Sequence, residues 1–489
     1  MMGETTMIRR RSSWIAFAAA AALLVGACGG DDSGDDGDTT TAAPATTTAD
    51  TTAAPETTAG EATTAPASTE TADTTEAPAT TVAEPSGWTV STDHCADPDE
   101  ANAPIEGTVK LGSVMPLSGG AAAAAFAPVK QGLDAYIAYA NQNQLLPGYT
   151  IELSVQDDQY NKDLTPGAVS GLIDSGVHAF AGIIGTPNNL AVRDTLNEEC
   201  IPQLNNLTGA REWGDDIDSY PWTTGGLIPY FVESKAYLNQ MQEDHPDGAK
   251  VALFTVASDF GDQYLEAFKD GAADAGLEIV SEQTIEPTDS NPPTSQVGAI
   301  AAEQPDIIMA VPLGAQCGQF TTEVVNAKAQ NPGWEPQVYL TNTCASSLIL
   351  ALAGDSANGI FTSASAGILD VGNPAVVDAN PAAKTYADFM TAGNYGDYTT
   401  AAAGWVIGEA TVQILKQAAE SEAGLTRASI IEAARNLNFS PELVRDGVTY
   451  TMNGDEDTYM VTDVQVVQYD ATAKIFNNIG TLHTDISTD

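Results

Sequence analysis

The stretch "VKLGSVMPLSGGAAAAAFAPVKQGLDAYIAYANQ", Val109 to Gln142, decides the fold. Its first eight residues (109–116) are an apolar run suited to a buried strand. A loop of small residues follows, and 126–142 places apolar side chains at helical spacing. "TIELSVQDD" (150–158) is then a second strand, so the stretch reads as one β-α-β unit. The pattern continues with a helix at 163–175, the strand "AFAGII" (179–184), a helix from Pro187 to Glu199 and the strand "IPQLN" (201–205). A second series opens after Gly226. Helices at 229–243, 260–275, 294–303 and 317–330 alternate with strands at 250–257, 277–285, 306–312 and 337–341. "GIFTSAS" (359–365), helices near 379–391, 399–421 and 426–436, and a strand-like tail at 461–470 complete the chain. Alternating units imply parallel sheets covered on both faces, and two series imply an α/β protein of two doubly wound lobes.

Upstream the composition changes. Arg9, Arg10 and Arg11 precede an apolar run, Trp14–Val25. That run has signal-peptide length and falls short of the ~20 residues a spanning helix needs. Gly26 and Ala27 then lead into Cys28, a pattern like a bacterial lipobox, so 1–28 is expected to be a lipoprotein signal with Cys28 as lipid anchor. From 29 to 105 the chain is rich in Thr, Ala, Pro and acids, with no Lys or Arg between Arg11 and Lys110. Such a segment buries too little apolar surface to offset its ordering entropy and is expected to be a disordered linker. As a flexible coil its reach is roughly 50 Å.

The formal net charge of −48 argues against nucleic acid and anionic lipid as direct partners. With Cys28 assigned to the anchor, Cys95, Cys200, Cys317 and Cys344 form an even set. Cys317 and Cys344 each follow a predicted strand of one lobe. This favours a Cys317–Cys344 disulfide and leaves Cys95–Cys200. No metal is expected, because His94, His178, His245 and His483 are scattered and no C-x2-C or H-x3-H spacing occurs. No cofactor loop, G-x-S-x-G or H-E-x-x-H is present, so an enzyme is not expected either.

Ligands of open α/β sheets bind beyond the carboxyl ends of the strands. The loops there are "PLSGGAAAAAF" around Ser118, "GTPNNLAV" with Thr186 as N-cap and Pro187 as first helical residue, and "NNLTGA" with Asn206 and Thr208. Free amides at the start of the helix after Thr186 could hold a carboxylate. In the second series "VASDFGDQY", "PLGAQCG" and "LTNTC" take the same position.

The order and spacing of "GSVMPLSGG", "VQDDQYN", "GIIGTPNN", "CIPQLNNLT" and "DIIMAVPLGAQCGQF" resemble the branched-chain amino-acid (leucine/isoleucine/valine-binding) type of solute-binding protein of ABC importers. These are type I periplasmic binding proteins, and the resemblance covers nearly all of 107–485. It implies lobe 1 at 106–225 plus 360–446 and lobe 2 at 226–358 plus 447–485. Hinge crossings would fall near Thr224, Gly359 and Gly447. It also implies that Thr186 and Thr208 hold the solute head group, with a main-chain contact from Asn206. Phe260 and Leu313 stand where family members carry tyrosines. Asn342 stands where an acidic residue pairs with a substrate ammonium, and a neutral amide cannot form that ion pair. The expected solute is a small polar organic molecule (amino acid, amide, urea-like compound or small organic acid), and the missing ion pair favours a less cationic one than a standard amino acid: an amide, a urea-like compound, an aromatic acid or a short-chain acid. Lobe closure would deliver it to a membrane permease outside the cytoplasm. The alternative is a ligand-binding partner of a membrane sensor.

Overall fold

The computed structural model describes residues 87–489 apart from 397, 485 and 489; Cys28 and the linker up to residue 86 lie outside them. The first described segment already folds. Asp97 caps α1 (Pro98–Ala101) through the amides of Asp99 and Glu100. Ala96 N–H donates to the Glu198 carbonyl, and Arg435 lies over the Trp88 ring. A linker reaching to residue 105 is therefore too long, because burial of Ile105 and a disulfide at Cys95 order its last part.

The first sheet follows from the alternating pattern. In chain order come β1 (Thr108–Met115), α2 (Gly120–Gln142), β2 (Thr150–Asp157), α3 (Thr165–Asp174), β3 (Ala179–Ala181), α4 (Thr186–Glu198), β4 (Gln203–Asn206), the short α5 (Glu212–Asp215) and β5 (Thr223–Gly225). The five strands are parallel, in the order β2-β1-β3-β4-β5. Helix α2 starts six residues before the predicted 126, because the alanine run 121–125 that reads as a small-residue loop has the highest helix propensity.

The second half begins with α6 (Tyr230–Asp244), β6 (Ala249–Val256), α7 (Asp259–Ala272), β7 (Leu277–Ile285), α8 (Thr294–Glu303), β8 (Ile307–Val311), α9 (Gln316–Gln330) and β9 (Gln337–Leu340). Then come α10 (Ser347–Leu352) and β10 (Phe361–Ser363), after which the chain returns to the first half with α11 (Pro374–Ala379), α12 (Pro381–Ala392), α13 (Tyr398–Glu420) and α14 (Arg427–Arg435), where α12 and α13 pack on α2 and α14 packs on α13. A small hairpin, β11 (Asn438–Phe439) and β12 (Tyr450–Thr451), precedes β13 (Val466–Asp470) and β14 (Ile475–Asn478). The second sheet runs β14-β13-β10-β9-β8-β6-β7, with β13 and β14 antiparallel at one edge. Every residue of β8 is buried, as a central parallel strand requires.

Two passages between the halves fall later than the sequence suggests. β10 pairs with β9 and β13, so 361–363 belongs to the second sheet and the chain leaves after Ser363 rather than at Gly359. Beyond Gly447 the chain still bonds to the first half, through Met452 N–H to Leu437 O and Gly454 N–H to Arg435 O, and it joins the second sheet only at Val466. Thr224 lies in β5, just before the first passage.

Helices α2 and α13 cross backbone against backbone. A Cβ on Gly132 would meet the Ala401 carbonyl oxygen at 1.7 Å, and one on Gly404 would meet that of Val129 at 1.9 Å. This close approach puts Val129, Thr399, Thr400 and Ala403 on one wall of a cleft. The four cysteines pair as Cys95–Cys200 and Cys317–Cys344, with Cα separations of 5.4 and 5.8 Å. Among the described residues no helix is long and apolar enough to cross a membrane.

Candidate functional site

A cleft of about 1050 Å³ lies between the two sheets, part of it open to solvent. Phe126, Ile184 and Leu207 line it from the first half, and Tyr230, Phe260, Leu313 and Asn342 from the second. A third wall combines 368–371 with Arg445, Val467 and Phe476. The lining is mostly apolar, and Asp370 and Arg445 are its only charged members.

The halves touch beside this cleft. Ala315 N–H donates to the Ala121 carbonyl at 3.1 Å, and Ser346 Oγ lies 3.1 Å from Thr399 Oγ1. Gln263 on α7 donates to the Glu212 carboxylate and accepts the Arg211 amide.

Phe260, Leu313 and Asn342 line the cleft, each at most 4 % exposed. The other four candidates have different surroundings. Ser118 is exposed, and its hydroxyl donates to the Asp157 carboxylate. Asn206 is fully buried, with both side-chain amide atoms unpartnered among the described residues. Thr186 and Thr208 are also fully buried, with their hydroxyls 2.8 Å apart. The Tyr230 hydroxyl lies 3.0 Å from Thr186 Oγ1 and 3.3 Å from Thr208 Oγ1, and Trp213 Nε1 donates to Thr208 Oγ1 at 3.1 Å. Thr208 Oγ1 also accepts the Ala210 amide, so its capacity is filled from within the protein, and Thr186 Oγ1 has two partners there.

Thr186 is not the N-cap predicted from sequence. Gly185 takes that position with φ 99°, and Thr186 is the first helical residue. The Tyr160 ring packs on Gly185 so closely that a Cβ there would meet it at 2.7 Å, and this ring covers the start of α4. Tyr160 stacks on Phe126 with ring centroids 6.2 Å apart, and Tyr230 stacks on Tyr264 at 4.3 Å. Aromatic surface thus occupies the region that local sequence reading assigns to a polar head group.

Behind Asn342, the fully buried Glu233 accepts hydrogen bonds from Tyr237 Oη (2.6 Å), Ser363 Oγ (2.6 Å), the Asn342 amide (2.9 Å) and Tyr264 Oη. Burial pushes its carboxyl up, and these donors oppose the shift. The carboxylate ties α6 to the ends of β9 and β10 and so fixes the floor beneath Asn342.

Asp370 and Arg445 are the charges that sequence reading missed. The Asp370 carboxylate accepts the amides of Gly372 (3.2 Å) and Phe476 (2.8 Å). Burial raises its carboxyl and the nearby guanidinium counteracts this. Arg445 donates from Nη1 to Asn478 Oδ1 at 2.7 Å, while its buried Nε has no partner among the described residues. Burial lowers the Arg445 pKa, and Asp370 acts the other way. In a chain with 18 basic and 66 acidic residues, each cation near a loop is a candidate, and "PELVRDGVTY" (441–450) held that signal.

The periplasmic binding protein family matches residues 108–474, and the chain belongs to that family. Solved structures share the fold. A fatty acid ABC transporter substrate-binding protein from Thermomonospora curvata is 20% identical, with a TM-score of 0.65 over 79% of this chain and 95% of that one. A branched-chain amino acid ABC transporter protein from Thermus thermophilus with bound valine is 17% identical, with a TM-score of 0.66 over 78% and 97%. A solute-binding protein from R. palustris in complex with 4-hydroxybenzoate is 18% identical, with a TM-score of 0.64 over 78% and 98%. No protein of curated function matches the chain.

Proposed function

We propose that the chain is the extracytoplasmic solute-binding component of an ABC importer, which captures a small organic solute by closing two lobes on it and hands it to a permease. The observation that carries this reading is a cleft lined from both sheets, with hydrogen bonds between the halves beside it. A guest that touches both walls makes all its contacts only in the closed form, so binding shifts the population toward closure. Structural relatives named for fatty acid, valine and hydroxybenzoate point to a scaffold whose lining, not its fold, sets the guest. Phe260, Leu313 and Asn342 are the predicted site residues that contact the solute directly. Thr186 and Thr208 shape the wall behind Tyr230, and Asn206 lies two residues before Thr208, at the end of β4.

The signal-like run ending at Cys28 makes the protein a lipoprotein tethered by its acidic linker. Loss of acyl labelling in Cys28→Ser tests the tether. For capture, a solute panel is screened by thermal shift and scattering on the full chain. The reading expects a solute that raises the melting temperature with concentration and lowers the radius of gyration. A chain whose scattering and melting answer to no solute contradicts it.

A further inference from the structure

We infer that the guest is a carboxylic acid with an apolar body, its carboxylate received at Arg445 and its body packed on the aromatic wall, and that Tyr230 excludes an amino-acid head from Thr186 and Thr208. This deepens the proposed function and rests on it.

The argument starts from hydrogen-bonding capacity. A buried polar group left unpaired costs free energy, so the unpaired groups of a cleft show what its guest must supply. Among the lining residues only two side-chain atoms are buried without partners, Arg445 Nε and Asn342 Nδ2. Both are donors, so a guest that draws these side chains into contact brings acceptors. One donor belongs to a guanidinium, whose planar fork matches a carboxylate. Asp370 beside it is held by two backbone amides and makes no direct ion pair with Arg445, so no acid in direct contact neutralises the guanidinium on this lining.

For an ammonium the lining offers one carboxylate, Asp370, each of whose oxygens already accepts a backbone amide and which lies beside the Arg445 guanidinium. Asn342 offers an amide nitrogen, and the Glu233 carboxylate behind it is enclosed by four donors. Thr186 and Thr208 are closed off by the Tyr230 hydroxyl and the Trp213 indole. The remaining wall, with Phe126, Tyr160, Phe260, Leu313 and Phe476, rewards burial of hydrocarbon or a ring.

Calorimetry on the full chain tests this with octanoate, benzoate, octanamide, benzamide and leucine. At least one of the two acids should bind, its amide at least tenfold more weakly, and leucine more weakly still. Arg445→Met should cut affinity for the acid at least tenfold and leave the amide unchanged, and Arg445→Lys should restore part of the loss. The comparison of acid with amide on the unaltered chain needs no variant. Amides equal to acids, or leucine tighter than either, would overturn the inference while leaving solute capture standing. If none of the five binds, the inference falls, and the wider solute panel read by thermal shift and scattering decides separately whether the capture reading stands.

Discussion

The Tyr230 hydroxyl, at the first residue of α6, sits 3.0 Å from Thr186 Oγ1, at the first residue of α4. It joins the two halves through a fully protein-internal contact. In Tyr230→Phe the threonine pair keeps its mutual bond and the Trp213 contact. Denaturant unfolding should therefore show a loss of only about 1 kcal/mol. Acid affinity, measured by calorimetry, should change less than threefold. A tenfold loss would make the hydroxyl a direct ligand.

Gly314 has φ +57°, and a Cβ there would meet the Ala121 carbonyl oxygen at 2.1 Å. That oxygen accepts the Ala315 amide. Gly314→Ala should hold the halves apart while leaving each core intact. Solute affinity should fall tenfold or more, the radius of gyration of the loaded protein should rise, and far-ultraviolet circular dichroism should be unchanged.

Burial pushes the Glu409 carboxyl from 4.5 up to about 7, and the charge of Glu442 adds to this. One oxygen accepts the Glu442 amide at 2.8 Å, and the other is buried without a partner among the described residues. Between these two values the folded state holds more protons than the unfolded one, so stability falls as pH rises from about 4.5 to 7. Glu409→Gln should remove this slope and raise stability at pH 8 by up to about 3 kcal/mol. Urea unfolding at pH 5 and pH 8 reads it; equal gains at both pH values would assign the effect to packing alone.

The Cys95–Cys200 disulfide spans 105 residues and holds the end of the linker against the first half. In the chain-entropy account, losing so long a loop closure costs about 4 to 5 kcal/mol. A Cys95→Ser, Cys200→Ser double variant should melt earlier and become sensitive to protease between 87 and 105. Unchanged cleavage there would mean that the α1 cap and the Trp88–Arg435 contact suffice.

The strand-helix alternation was legible because each unit buries its own apolar stripe, and "IIMAV" within the predicted 306–312 became a fully buried strand. Phe260, Leu313 and Asn342, singled out by the family resemblance, line the cleft because loops after parallel strands converge by topology. Tyr230 could not, since its role depends on how α6 meets α4 across two sheets. Arg445 and Asp370 share a wall only because β14 folds back at the sheet edge, with Phe476 bonded to one and Asn478 to the other. Thr186 was misplaced as a cap because no local rule reveals the Tyr160 ring lying on Gly185.

The most direct test of capture between two halves is a co-crystal structure of the full chain with its tightest-binding acid. The account predicts density between Phe126 and Leu313, with a carboxylate oxygen within hydrogen-bond distance of Arg445. An acid bound outside this cleft, or touching one half alone, would contradict it.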